Sequence, residues 1–160
     1  MKIVIGADPW GAELKDKVIN HLAGQGHDIV DVGSTGEGGE VDYYEVAARA
    51  ARKIQSGETE RGILFCGTGM GVAIVANKFN GIYASVIESE FAAKMCRAVN
   101  NANIMTMGAM IVAPHQALRC VDAFVGTAHT QDLPEDVGCF LKDSLGRIAA
   151  IEKENMKARQ

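Results

Sequence analysis

The sequence predicts an α/β fold, a parallel sheet covered by helices on both faces. Apolar runs of strand length alternate with helix-patterned segments along the chain. Five such units follow one another, which implies right-handed crossovers between parallel strands. No internal repeat, low-complexity tract or linker interrupts them, so residues 1–160 are expected to form one domain. Residues 2–6 read as the first strand. A helix follows in which Leu14, Val18 and Leu22 recur every four residues. Residues 28–32 are the second strand, leading into a Gly-rich acidic loop at 33–40 and an alanine-rich helix at 43–54. The third strand ends at Cys66 and runs into the glycines at 67, 69 and 71, after which 72–78 reads as a helix. Residues 81–86 and 103–107 supply the last two strands, each followed by a helical stretch. A final helix is expected from about Glu135 into the polar tail.

Composition narrows the function. A net charge of −4 gives no electrostatic reason to expect nucleic acid or an anionic membrane as partner. No apolar run approaches the roughly 20 residues that span a bilayer, and the amino terminus enters a strand without a leader pattern, so a cytoplasmic location is expected. Cys66, Cys96, Cys120 and Cys139 lack paired or ligand spacing, which argues against zinc or a disulfide framework and for reduced, mostly buried thiols. His21, His27, His115 and His129 sit in helices or connections without an evident acidic or metal-ligand partner, and read as surface or capping residues.

Residues 62–71, Gly-Ile-Leu-Phe-Cys-Gly-Thr-Gly-Met-Gly, carry the functional reading. A buried strand delivers a thiol to a loop whose glycines allow a tight turn, with N–H groups pointing inward and a helix N-terminus facing the same point. Such donors favour thiolate, making Cys66 a candidate base or nucleophile. A cysteine closing an inner strand is otherwise commonly inert core, and the three glycines are what reverse that reading. As a dinucleotide fingerprint the loop is weak, because its third glycine comes one residue early and no P-loop Gly-Lys-Ser/Thr follows. Asp8 also falls at a strand carboxyl end, where α/β folds bind ligands, so Asp8 and Cys66 are expected to meet in one cleft. Asp8-Pro9 also reads as a helix start, with an N-cap aspartate and proline at the first helical position. Trp10 is either a lid over that cleft or part of a dimer surface.

Gly6-Ala7-Asp8, Val41-Asp42-Tyr43, Cys66 to Gly71, Ala76-Asn77-Lys78, Asn100-Asn101-Ala102-Asn103 and Met107-Gly108 occur in an order that resembles the ribose-5-phosphate isomerase B and galactose-6-phosphate isomerase family. The resemblance covers about residues 1–125. It implies a Rossmann-like three-layer sandwich with a five-stranded, mainly parallel sheet, and a homodimer or homotetramer with active sites at the subunit interface. The helix and tail at 135–160 would pack on a partner subunit. No metal or organic cofactor is implied. The implied reaction is aldose–ketose isomerisation of a small sugar phosphate or sugar derivative through a cis-enediolate. Cys66 would be the base, and the backbone N–H groups of Gly67, Thr68, Gly69, Met70 and Gly71 would hold the enediolate. Thr68 would assist ring opening or hold a hydroxyl, while Asp8, Tyr43 and Asn100 match positions that contact the sugar.

The departures from the family pattern are specific. Pro9 and Val99 stand where the family commonly has histidine, the second being the usual ring-opening acid. The carboxy-terminal phosphate-gripping arginines are replaced, Cys139, Phe140, Leu141 and Ser144 occupying that region with Lys142 and Arg147 nearby. A single lysine is a poorer match to phosphate than a paired guanidinium fork. Two alternatives therefore stay open, an isomerase of an unphosphorylated keto-uronate and a non-catalytic subunit paired with an active paralogue.

Overall fold

The computed structural model describes residues 1–35 and 39–157. The middle of the predicted acidic loop and the end of the tail lie outside the described residues. The elements in order are β1 (Lys2–Ala7), α1 (Ala12–Gly24), β2 (Asp28–Asp31), α2 (Tyr43–Gln55), β3 (Arg61–Cys66), α3 (Met70–Ala76), β4 (Ala84–Val86), α4 (Glu90–Ala98), β5 (Ile104–Gly108), α5 (Pro114–Gly126) and α6 (Glu135–Lys157). The five strands pair in the order β2-β1-β3-β5-β4, every described pairing parallel. The predicted α/β sandwich is therefore what forms. Strand β4 is the largest departure in length, beginning at Ala84 where the sequence suggested 81, because Gly81 turns at φ 71.

Alternate residues of each strand feed two cores. Ile3, Ile5, Ile63, Phe65, Met105 and Met107 pack under α1, α4 and α5. Val4, Leu64, Cys66 and Ile104 pack under α2 and α3. Burial on both faces explains why the strands read as continuous apolar runs. Leu14, Val18 and Leu22 all reach the first core, as their spacing requires. Lys15, beside that stripe, is fully buried, its ammonium held by the carboxylates of Asp31 and Asp16.

Three expectations need correction. Helix α1 starts at Ala12 with Gly11 as N-cap, not at Pro9. Asp8 instead closes the preceding turn, its Oδ1 accepting the Gly11 N–H at 3.0 Å, because the chain needs a full turn after β1 before it can reverse. Cys139 is exposed, unlike Cys66, Cys96 and Cys120, since it faces outward on α6. His21 does have an acidic partner, Asp122, at 2.7 Å across the α1–α5 contact and 101 positions along the chain. Among the described residues no helix is long and apolar enough to cross a membrane.

Candidate active site

Strands β1 and β3 are neighbours whose following helices lie on opposite faces of the sheet, so a crevice opens between their carboxyl ends. Asp8 follows β1 directly and Cys66 ends β3. Both line one cleft of about 260 Å³, together with Trp10, Tyr43, Gly67, Thr68, Gly71 and Met110.

The loop after Cys66 is shaped by close backbone approach. Gly69 is the left-handed N-cap of α3, at φ 76, and a Cβ there would lie 2.7 Å from the Met107 carbonyl carbon. This turn brings the Gly69 N–H to 3.1 Å from Cys66 Sγ, so the sulfur accepts a backbone donor at the floor of the cleft. The Met70 N–H faces Thr68 Oγ1 at 3.4 Å. Gly71 is required for packing, since a Cβ would come within 3.0 Å of the Tyr43 ring.

Asp8 is buried, and burial is the main reason its carboxyl titrates above the usual range. N–H donors from Gly11 and Trp10 oppose that rise, and the charge of Asp42 adds to it. Asp42 in turn accepts the Tyr44 hydroxyl at 2.6 Å.

Of the residues singled out from sequence, Asp8, Tyr43, Cys66, Gly67, Thr68 and Gly71 line the cleft, with Gly69 buried beneath it. Met70 and Asn100 do not line it. Asn100 follows α4 and precedes β5, which places it at the opposite, amino-terminal edge of the sheet. Met110 is the lining residue that sequence reasoning missed. Cys66 stands opposite Gly108 in the β3–β5 register, and the Ala109 and Met110 N–H groups bond the Cys66 and Gly67 carbonyls at 2.9 and 3.0 Å. Only that register reveals the juxtaposition.

Residues 3–135 match the sequence profile of the ribose/galactose isomerase family. The chain belongs to that family. It is 47% identical over 153 residues, 96% of each chain, to a 4-deoxy-4-sulfo-D-erythrose isomerase from Clostridium sp. (strain MSTE9). It is 41% identical over 125 residues to a ribose-5-P isomerase B from Listeria innocua, covering 78% of this chain and 84% of the relative. Among solved structures, ribose-5-phosphate isomerase B of Clostridium thermocellum superimposes with a TM-score of 0.87 at 35% identity, covering 97% of this chain and 99% of that one. The chain is thus a sugar isomerase of the ribose/galactose isomerase family.

Several stretches that carry the family resemblance have structural work in this chain. Asn77 bonds the backbone N–H and C=O of Ala84 at 2.8 and 2.9 Å, tying α3 to β4. Asn103 does the same for the Gly81 carbonyl and the Tyr83 N–H, at 2.7 and 2.9 Å. Asn101 takes a left-handed φ of 50 that lets the chain turn from α4 into β5. Among the described residues no group of three or more His, Cys, Asp or Glu side chains is placed to hold a metal ion.

Proposed function

We propose that the chain interconverts the open-chain aldose and ketose forms of a small sugar that carries an anionic end, with Cys66 as the base. The observation that carries this reading is the sulfur of Cys66 at the floor of a cleft, with the Gly69 N–H aimed at it and Asp8 and Thr68 beside it. A donor on the sulfur supports negative charge there, which a base for a carbon acid needs. The thiolate would take the proton from the hydroxyl-bearing carbon next to the aldehyde, leaving the electron pair as an enediolate. Transfer of a proton between the two oxygens, followed by return of the thiol proton to the former aldehyde carbon, gives the ketose with no net change in atoms or electrons.

The oxyanion needs its own donors, and Gly69 and Met70 are already turned to Sγ and Thr68. Gly71, in the first turn of α3 and on the cleft wall, offers an N–H without an intrahelical acceptor. Thr68, exposed at the rim, is suited to hold a substrate hydroxyl. The absence of histidine at position 99 favours a substrate too short to need ring opening, and the relative named for a four-carbon sulfo-sugar supports that size.

Asn100 belongs to this reading through a second copy of the chain. The length of β5 separates it from Cys66 by on the order of 15 Å at about 3.3 Å per residue, so its own cleft is out of reach. A homodimer or homotetramer that sets the amino-terminal edge of one copy against the cleft of another would bring it in. Exposed Phe140, Ile148 and Ile151 on α6 give such an assembly apolar surface to cover.

The test is solvent-deuterium incorporation followed by NMR, with sulfo- and phospho-tetroses and pentoses incubated with wild type and Cys66→Ala. Exchange at the carbon beside the carbonyl is expected with wild type and not with the variant. Equal exchange by both proteins sinks the assignment of the base.

A further inference from the structure

We infer that Trp10 and Met110 set the end-group specificity of this cleft, favouring a sugar that ends in a sulfonate over one that ends in a phosphate. The inference rests on the isomerase reading above and names the substrate class for the same site. Trp10 and Met110 are the most exposed large apolar side chains of the cleft, at 70% and 63%. Met110 lies directly across Gly67, its Sδ and Cε 3.3 and 3.4 Å from where a Cβ would stand, with the Trp10 Cβ at 3.9 Å. Together they form a wall over the residue next to the catalytic sulfur.

The charge of the lining is as telling as its shape. Among the described residues the cleft is lined by no lysine, arginine or histidine, while Asp8 lines it and Asp42 is close enough to perturb Asp8. A phosphate monoester carries close to two negative charges at neutral pH and three strong acceptor oxygens. Against an apolar wall and two carboxylates, that charge loses its hydration without gaining a cation. A sulfonate carries one charge, does not titrate near neutrality and is a weaker acceptor, so the same surroundings penalise it less. The apolar surfaces of Met110 and Trp10 suit such a weakly hydrated group. Cations brought by a second copy, such as Lys142 or Arg147, would attract either end group, so the discrimination rests on the Trp10 and Met110 wall of this copy.

The experiment compares kcat/KM for 4-deoxy-4-sulfo-D-erythrose and D-erythrose 4-phosphate in wild type, Met110→Arg and Met110→Leu, with Trp10→Lys as a second charge-adding variant and thermal melting as a fold check. Wild type is expected to favour the sulfonate at least tenfold. Met110→Arg and Trp10→Lys should each shift the ratio toward the phosphate by tenfold or more, while Met110→Leu leaves it within about twofold. A wild-type preference for the phosphate, or an unchanged ratio in a folded charge-adding variant, overturns the specificity assignment and leaves the isomerase reading standing. Turnover of neither sugar by wild type overturns the specificity assignment, and only a further lack of exchange across the whole deuterium panel overturns the isomerase reading as well.

Discussion

The two edges of the sheet handle polar groups in opposite ways. At the amino-terminal edge, Arg61 opens β3 and donates to the carbonyls of Phe124, Val125 and Thr127 at 2.6, 2.7 and 3.2 Å. Arg97, buried at the end of α4, donates to the Ala102 and Thr127 carbonyls, and both guanidiniums lie over the Phe124 ring. Charge there closes off the carbonyls left at the end of α5 and ahead of β5. At the carboxyl-terminal edge the backbone bends sharply at Gly69, a buried aspartate is left without a cation among the described lining residues, and Trp10 and Met110 stand in solvent. Around Arg61 and Arg97 the amino-terminal edge is tied down for stability, while the carboxyl-terminal edge keeps groups available for a ligand.

If that division is right, substitutions at the two edges separate activity from stability. Cys66→Ala should cause the largest loss, about a hundred- to ten-thousand-fold in turnover, the range for removal of a general base. The loss of a small buried thiol should leave the melting temperature close to wild type, within a few degrees. Matched kinetics and thermal melting check both halves. A collapse in stability with intact kcat would show that Cys66 belongs to the core alone. Gly69→Val should impair both properties. Its Cβ would meet the Met107 and Gly108 backbone at 2.7–2.8 Å at a positive φ, which points to about 3 kcal/mol or more of destabilisation. Urea titration measures this, and a variant as stable as wild type would show that the loop relaxes freely.

Arg97→Met should reverse the pattern seen for Cys66. The Ala102 carbonyl loses its guanidinium partner, whereas Thr127 keeps Arg61, so about 1–3 kcal/mol of stability is expected to go. Turnover per folded molecule should stay near wild type if this edge is structural. Burial holds the Arg97 guanidinium down to about 10, still above neutral pH, so its charge is present throughout the assay range.

The split also accounts for what was legible in the sequence. The carboxyl-terminal edge is written in local patterns: a strand that ends in Cys66, glycines at fixed offsets, and Asp8 just after β1. Parallel topology then brings those strand ends together. Residues 2–6 and 43–54 were placed to within one residue at each end, because strand and helix periods differ so clearly there. Met110 was missed because its place over Gly67 depends on the β3–β5 register. The Arg61–Arg97–Phe124 cluster and the His21–Asp122 pair were missed because their partners lie far apart in sequence. Asn100 was grouped with the cleft residues through family resemblance, although the chain carries it to the other edge.

Asp8 offers the finest test of the comparison, since it is a buried charge at the edge that otherwise avoids structural charge. Its carboxyl is raised mainly by burial, with Asp42 adding repulsion, so the folded state holds its proton more tightly than the unfolded chain does. Below the unfolded value, near 3.9, both states are protonated and the effect vanishes. As pH rises through the unfolded and then the raised folded value, ionisation favours the unfolded chain, and the resulting cost is complete once pH has passed the raised value. Asp8→Asn keeps an oxygen to accept the Gly11 N–H and removes the charge. It should therefore be as stable as wild type or more stable at pH 7, by about 0.5 kcal/mol or less, the scale of substitutions that disturb no packing. The gain should shrink as pH falls through the raised value. Turnover should fall at the same time, because a carboxylate that lines the cleft has gone. Denaturant midpoints for both proteins between pH 4 and 8 decide it, and a variant uniformly less stable than wild type would mean that the Asp8 carboxylate is there to hold the fold.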